Sequence, residues 1–485
     1  MSTVQAIDWA ATAPLLAVAV TAVVVLVVDA FTHHPRWAGL LSVLGLAVAT
    51  VSVLPLVGDD RATFCLPDGR GCSFVVDELT IGFWVVVLAG TLLTVMLSAV
   101  GAIDDRVPTG EHHFLLLCSA AGALAIAGAR DLATLVIALE LVSLPAFALV
   151  GLKRGDRRSA EAALKFFLVS VVATAVMLYG ISLVYGVTGS MHVGGIRAAL
   201  ADGAEPAGVL AIGVVLSLFG LLFKVAAVPL HGWVPDTYVG APPAVAAYLS
   251  VVSKAAGFVA LLVLLSRAFG EYGEVWGPIL AAVAALTMTV GNVLALRQRH
   301  AVRLLAWSSV GQSGFMLAPL AVVADGRAEV SGAAAEAVLA YLLIYSVVNL
   351  GAFAVVAAVS RHRPAGAISD YQGLVRRQPW AGVGLAFALL CLAGLPPGIA
   401  GLFAKVVVFE SVVTGGLGWL AVVMAVNVAI GLAYYVRWMA VVLGPVGEDS
   451  ASPEVHPAVA AAIGATLVAA IGLSVVPSAV LGLLG

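Results

Sequence analysis

Charge is scarce in this 485-residue chain: Asp, Glu, Lys and Arg together make up 11% of it, against 62% hydrophobic residues. The mean hydropathy is +1.09. A soluble globule cannot hide that much apolar surface in a core, so the composition excludes one and predicts an all-α polytopic membrane protein. Cysteine is scarce as well, with four in the chain, and there is neither a CxxC pair nor an iron–sulfur ligand spacing. No Gly-x-Gly-x-x-Gly follows a strand pattern, so no nucleotide or flavin site is expected. Any redox chemistry must then belong to another chain. The formal net charge of −3 gives no footprint for a nucleic-acid partner, and no metal-ligand cluster stands out.

What is abundant is apolar runs. A hydrocarbon core about 30 Å thick takes roughly 20 apolar residues per helix, and runs of that kind predict about fourteen spans. Their cores lie near residues 10–30, 37–57, 79–100, 113–128, 132–152, 162–187, 207–230, 244–266, 276–296, 304–323, 333–360, 380–414, 417–443 and 457–484. The opening "MSTVQAIDWAATAPLL" has no basic start and carries Asp8, so no cleaved signal peptide is expected. The whole of 1–485 reads as one membrane domain without a soluble module or low-complexity segment. With the N-terminus outside, the inner loops hold thirteen Lys and Arg and the outer loops six, including Arg70 and Arg327 outside and Arg106 inside. This bias puts both termini outside the cytoplasm. Cys65 and Cys72, in "FCLPDGRGC", share a loop that this topology exposes to oxidation, where a disulfide is one of two open readings.

Lysine usage is uneven. Arg outnumbers Lys nineteen to five, yet Lys165, Lys224, Lys254 and Lys405 all lie in apolar spans and only Lys153 is in a loop. Arginine does not give up its proton in a protein, whereas a buried lysine does. The alternative is a lysine that pairs with a carboxylate or reaches an interface, and Lys165, four residues after Glu161 near a span end, fits both readings. The acidic candidate is Glu140, mid-span in "LATLVIALELVSLPAF". Moving a carboxylate toward or away from a desolvated lysine changes its proton affinity by about 4 to 7 kcal/mol. Moving one charge against 100 mV costs about 2.3 kcal/mol, so such a pair suffices as a switch. His231 is a further candidate, either a proton carrier or a structural hydrogen-bonder. Glu410 lies about 140° around its helix from Lys405 and reads as an exit-side or interfacial carboxylate; Asp29 and Glu336, near span ends, read as solvated or interfacial.

Prolines accompany the lysines. "FKVAAVPLHGWVPD" and "LPPGIAGLFAKVVVF" each join an apolar span, a lone lysine and proline. Mid-span proline frees backbone groups that lipid cannot satisfy, so such breaks belong where they line a polar cavity. The two segments are five spans apart and so run in opposite directions, as inverted repeats do.

At these residues the chain resembles the antiporter-like subunits of proton-pumping NADH:quinone oxidoreductase, respiratory complex I. The matching stretches include "ALELVSLPAFALV", "FKVAAVPLHGWVPDTYVGAPPAVAAYLSVVSKAAGF", "RLLAWSSVGQSGFML", "YLLIYSVVNLGAFAVV" and "LAGLPPGIAGLFAKVVVF", and "EAALKFFLVSVVATAVMLYGISLVYGVTGS" is most similar to the subunit N group. The resemblance implies fourteen transmembrane helices: three N-terminal ones within 1–112, two inverted five-helix repeats (TM4–8, 113–266; TM9–13, 276–443) with TM7 and TM12 broken, and a last helix within 457–485. It implies that Glu140 and Lys224 form the switching pair, with Lys254 the central relay, Lys405 the terminal donor, and Lys165 on the cytoplasmic half-channel. It implies no cofactor in this chain, with FMN, iron–sulfur clusters and the quinone site in other subunits. The expected partners are the antiporter-like M subunit, the small K- and J-type subunits and membrane lipid, in a bacterial plasma membrane. Two positions depart from the family pattern: Gln312 replaces a usual histidine, which would leave a relay there to water, and Val302 replaces a usual basic residue. Two other functions stay open, a subunit of a multi-subunit sodium/proton antiporter and a non-pumping structural subunit.

Overall fold

In lipid every backbone N–H and C=O has to be satisfied within its own segment, which makes apolar runs helical. The computed structural model describes residues 7–32, 35–66, 71–99, 107–325, 328–446 and 455–477. Arg70, Arg106, Arg327 and the end of the last expected span, 478–485, lie outside the described residues.

Helices α1 (Trp9–Thr32) and α2 (Pro35–Val53) lead into a hairpin of β1 (Arg61–Cys65) and β2 (Cys72–Val76). The strands are antiparallel, with Arg61 opposite Val76, and Cys65 is joined to Cys72 by a disulfide. Then follow α3 (Glu78–Ser98), α4 (Thr109–Gly128), α5 (Leu132–Gly151), α6 (Arg157–Thr188), the short α7 (Val193–Ala201), α8 (Ala207–Lys224) and α9 (Trp233–Gly240). Next come α10 (Pro243–Tyr248) and α11 (Lys254–Val263), parts of one rod, Pro243–Ala268, whose turn at Leu249–Ser253 widens to i→i+5 bonding. The second half holds α12 (Gly273–Leu296), α13 (Ala301–Val322), α14 (Ala328–Ser360), the one-turn α15 (Leu374–Arg377), α16 (Pro379–Ala393), α17 (Ile399–Thr414), α18 (Gly418–Leu443) and α19 (Pro457–Val475).

Among the described residues, twelve helices are long and apolar enough to cross a membrane, and α16 is a shorter apolar helix. The expectation of about fourteen also counted residues 304–323 and 380–414. The first is helical but carries Ser308, Ser309, Gln312 and Ser313, and the second is cut into α16 and α17. The rod Pro243–Ala268 and α14 are buried almost all round, whereas only about a third of the residues in the apolar stretches of α1, α2, α6 and α19 are buried. Val48, Val172 and Val468 are more than half exposed, as suits side chains that face lipid rather than protein.

Small residues bring the central helices together. At the α12–α13 crossing a Cβ on Gly291 would stand 2.3 Å from the backbone nitrogen of Gly311, so only glycine allows the approach. Helices α3 and α5 begin with aspartate caps: Asp77 accepts from the Thr80 amide and Asp131 from the Thr134 amide. Asp77 also takes Arg130 at 2.9 Å and Arg267 at 2.8 Å. Burial alone would raise its pKa, but the two guanidiniums and the Thr80 bonds hold it down, to about 2 from 3.8. A carboxylate depressed in this way stabilises the fold above its unfolded pKa, and the contribution fades as pH falls from near 4 toward 2. The shift corresponds to about 2 kcal/mol. Asp77→Asn leaves two cations without a counter-charge, and we expect a loss of about 3 kcal/mol, seen as a melting temperature several degrees lower for the solubilised protein. An unchanged melting curve would show that the cluster contributes nothing.

Candidate functional site

The first break lies where the lysine and proline of "FKVAAVPLHGW" predict it. Helix α8 ends at Lys224, residues 225–232 run as turns, and Ala226 adopts a left-handed φ of 62°. The break is held by side chains: Val228 N–H donates to Thr287 Oγ1 at 2.9 Å, and Trp233 Nε1 donates to the Phe223 carbonyl at 3.3 Å. Lys224 is fully buried and donates to Ser143 Oγ at 2.7 Å. Glu140, half-buried on the same helix, accepts from Thr174 Oγ1 of α6 at 2.9 Å. Residues three apart on a helix share a face, so Glu140 and Lys224 approach the same patch of α5. The structure does not bring them into an ion pair; each is held by a hydroxyl.

Lys254 opens α11 directly after the widened turn, and it is completely buried. Its ammonium has three donors, and all three are used: Ser309 carbonyl at 2.5 Å, Ser309 Oγ at 2.6 Å and Ser313 Oγ at 2.8 Å. Ser309 Oγ accepts in addition from Tyr345 OH at 2.8 Å. Residues 308, 309, 312 and 313 form one stripe of α13 at helical spacing. Gln312, at the position of the usual histidine, is engaged by two phenols. Tyr341 OH donates to its Oε1, and its Nε2 donates to Tyr435 OH at 3.1 Å. Tyr435 and Ser308 share a further bond at 2.5 Å.

The second break separates α16 from α17 at Gly394–Gly398, with Gly394 left-handed at φ 80°. Helix ends leave carbonyls without partners, and Lys405 reaches back from α17 to two of them, donating to Leu392 O at 2.9 Å and Ala393 O at 2.6 Å. It is 7% exposed. A Cβ at Gly394 would sit 3.0 Å from Lys405 Nζ, so glycine serves both the turn and the lysine. Glu410 is exposed and is not a partner of Lys405.

The remaining candidates lie apart from this set. Lys165 is half-exposed and pairs with Glu161 at 2.7 Å and Asp236 at 3.0 Å. Asp236 meets Arg303 as well, at 3.5 Å, and these groups with Arg158 line an open cavity of about 270 Å³. Lys165→Ala therefore removes two exposed, solvent-screened ion pairs, and we expect its melting temperature to stay within about 2 °C of the parent. His231 is half-buried against Trp307, ring centroids 5.5 Å apart, and its Nδ1 has no hydrogen-bond partner. Among the described residues no three His, Cys, Asp or Glu side chains converge as metal ligands.

Residue-type reasoning missed the neutral partners: Ser143, Thr174, Ser309, Ser313, Tyr345 and Tyr435. The signal available was "AWSSVGQSG", where polar residues recur four apart in an apolar run. All five lysines now sort into two kinds. Lys153 and Lys165, partly exposed, hold the carboxylates Asp156 and Glu161, while buried Lys224, Lys254 and Lys405 hold only neutral oxygens.

Residues 129–431 match the family described as NADH:quinone oxidoreductase/Mrp antiporter, TM. A relative from Streptomyces griseus named NADH-quinone oxidoreductase subunit N 2 is 56% identical over 91% of this chain and 83% of its own length. Subunit N of NADH-quinone oxidoreductase from Salinispora tropica is 47% identical over 91% of this chain and 86% of its own. Among solved structures, a chain of respiratory complex I from Thermus thermophilus superposes with a TM-score of 0.80 at 33% identity, covering 96% of this chain and 97% of that one. A chain of the Mrp complex from Dietzia superposes with a TM-score of 0.84 at 22% identity, covering 98% and 96%, a likeness of fold alone. The chain belongs to the NADH:quinone oxidoreductase/Mrp antiporter family of membrane subunits, in the group of relatives named subunit N.

Proposed function

We propose that this chain is a proton-translocating subunit of a membrane-bound NADH:quinone oxidoreductase, and that quinone reduction in other subunits drives proton transfer along Lys224, Lys254 and Lys405 under control of Glu140. The observation that carries this reading is the neutral company of the buried lysines. A buried lysine locked to a carboxylate is fixed in its charged form. One held by hydroxyls and carbonyls keeps strong charge-assisted bonds when protonated and has no counter-ion to abandon when it gives the proton up. Lys254, saturated by Ser309 and Ser313, is the middle station.

The two breaks, each with its lysine, support the two-repeat reading of TM4–8 and TM9–13. The loop charges support both termini outside. Redox cofactors belong to partner chains in this reading, and the subunit M and K/J neighbours follow from the subunit N relationship. The family that residues 129–431 match takes in the Mrp antiporter as well, and an Mrp chain shares the fold, whereas the subunit N relatives are similar in sequence along most of the chain.

The test is NADH-driven acidification of sealed vesicles that carry Glu140→Gln or Lys224→Ala. Both variants are expected to acidify more slowly per NADH oxidised. Wild-type acidification in both, with the complex assembled, would mean that this chain braces the membrane arm without pumping.

A further inference from the structure

Beside the β1–β2 hairpin, away from the lysines, lies a pocket of about 400 Å³ that the relay does not use. Its charged walls are Arg130, Arg197 and Arg267, with His192 beside them and no carboxylate among the described lining residues. Arg130 and Arg267 share the single carboxylate of Asp77. Arg197 is exposed and makes no ion pair among the described residues. The pocket thus carries a surplus of positive charge.

Two further features point to an anion. The pocket takes in the start of α7, a nine-residue helix whose cap residue His192 makes no side-chain bond to the first turn. In that turn Val193 N–H donates to the Arg130 carbonyl at 3.0 Å, while the Gly194 N–H has no partner within the helix, and Gly194, a wall of the pocket, has no Cβ to cover it. Arg130 is 6% exposed, yet its Nε finds no hydrogen-bond partner, and the buried Nδ1 of His192 finds none either. The unsatisfied Arg130 Nε, a helix start with an open glycine amide and three arginines form a built acceptor-seeking site, because guanidiniums match phosphate oxygens in geometry as well as charge.

The location narrows the ligand. Arg130 lies between the ends of the apolar helices α4 and α5, and Arg267 lies in the last turn of the rod Pro243–Ala268. Both therefore sit at headgroup depth. On the other side of Arg267 a larger cavity of about 690 Å³ is lined by Asp59, Asp60, Asp77, Glu78 and Glu336. That cavity repels anions, leaving the arginine pocket as the place for one. We infer that the pocket bounded by Arg130, Arg197, Arg267, His192 and the start of α7 binds an anionic phosphate group, borne either by the headgroup of an acidic phospholipid or by free phosphate.

The experiment uses the full chain in the detergent-solubilised membrane complex, delipidated and then exposed to phosphatidylglycerol, phosphatidylcholine or inorganic phosphate at matched ionic strength. Bound lipid is counted by native mass spectrometry and the melting curve is followed. Phosphatidylglycerol is expected to bind about tenfold more weakly to Arg197→Glu, the equivalent of one charged contact, and Arg197→Lys is expected to recover most of the loss. Arg197 is on the surface of α7, so the variant folds; His192→Ala, expected to weaken binding several-fold, is the second arm. If millimolar phosphate stabilises the wild type and displaces phosphatidylglycerol, the ligand is free phosphate; if it does neither, the ligand is the lipid. Equal retention of phosphatidylglycerol by wild type and Arg197→Glu, or equal retention of phosphatidylcholine and phosphatidylglycerol by the wild type, would overturn the inference.

Discussion

Lys405→Arg is expected to give a protein that melts like the parent and does not pass protons. Lys405 has two jobs in the structure, and the substitution separates them. Its ammonium satisfies the Leu392 and Ala393 carbonyls that the break after α16 leaves free. Arginine keeps the charge and has donors enough for both, but it holds its proton at every accessible pH. Lys405→Ala loses both functions. Each buried carbonyl left without a donor costs about 1 to 3 kcal/mol, so the alanine variant is expected to melt lower and to fail in pumping as well. The informative contrast is Arg against Ala: equal stability to wild type with pumping lost in the first, lower stability with pumping lost in the second. An Arg variant that pumps at the wild-type rate would reduce Lys405 to a helix cap.

Lys254→Met is expected to stop proton transfer through this chain with little cost in stability. Methionine replaces the lysine stem at similar length, and the groups left behind have alternatives. Ser313 Oγ already donates to the Ser309 carbonyl at 3.1 Å, and Tyr345 OH donates to Ser309 Oγ at 2.8 Å. Removing a buried cation also removes its desolvation penalty, which is why apolar replacements of buried charges are often neutral. We expect a change within about 1 kcal/mol, by the same reasoning. Proton translocation should fall while NADH oxidation in uncoupled membranes persists, and a large stability loss would instead mark Lys254 as a structural post.

What was legible in the sequence followed from expense. A lysine or a mid-span proline in lipid is costly enough to need a reason, so Lys224, Lys254, Lys405 and both breaks stood out from residue type alone. Their partners did not. Ser309 is 55 residues from Lys254 and Ser143 is 81 from Lys224; a serine in an apolar helix satisfies itself on its own backbone, and nothing local reports the lysine across the interface. Lys165 fits both a relay and a carboxylate-paired role in the sequence; Glu161 and Asp236, the latter 71 residues away, hold it at an open mouth. Helix α13 is a weak span by composition for the same reason it matters: its stripe from Ser308 to Ser313 lowers its hydropathy and supplies the cradle for Lys254. The β1–β2 hairpin escaped because five-residue strands in "RATFC" and "CSFVV" carry no long pattern.

The most direct measurement is the proton-to-electron ratio of the intact complex in sealed proteoliposomes, read for wild type, Lys254→Met and Lys405→Arg at matched rates of NADH oxidation. A lower ratio is expected in both variants than in wild type. A wild-type ratio in both would contradict it, because protons would then cross without either lysine changing charge.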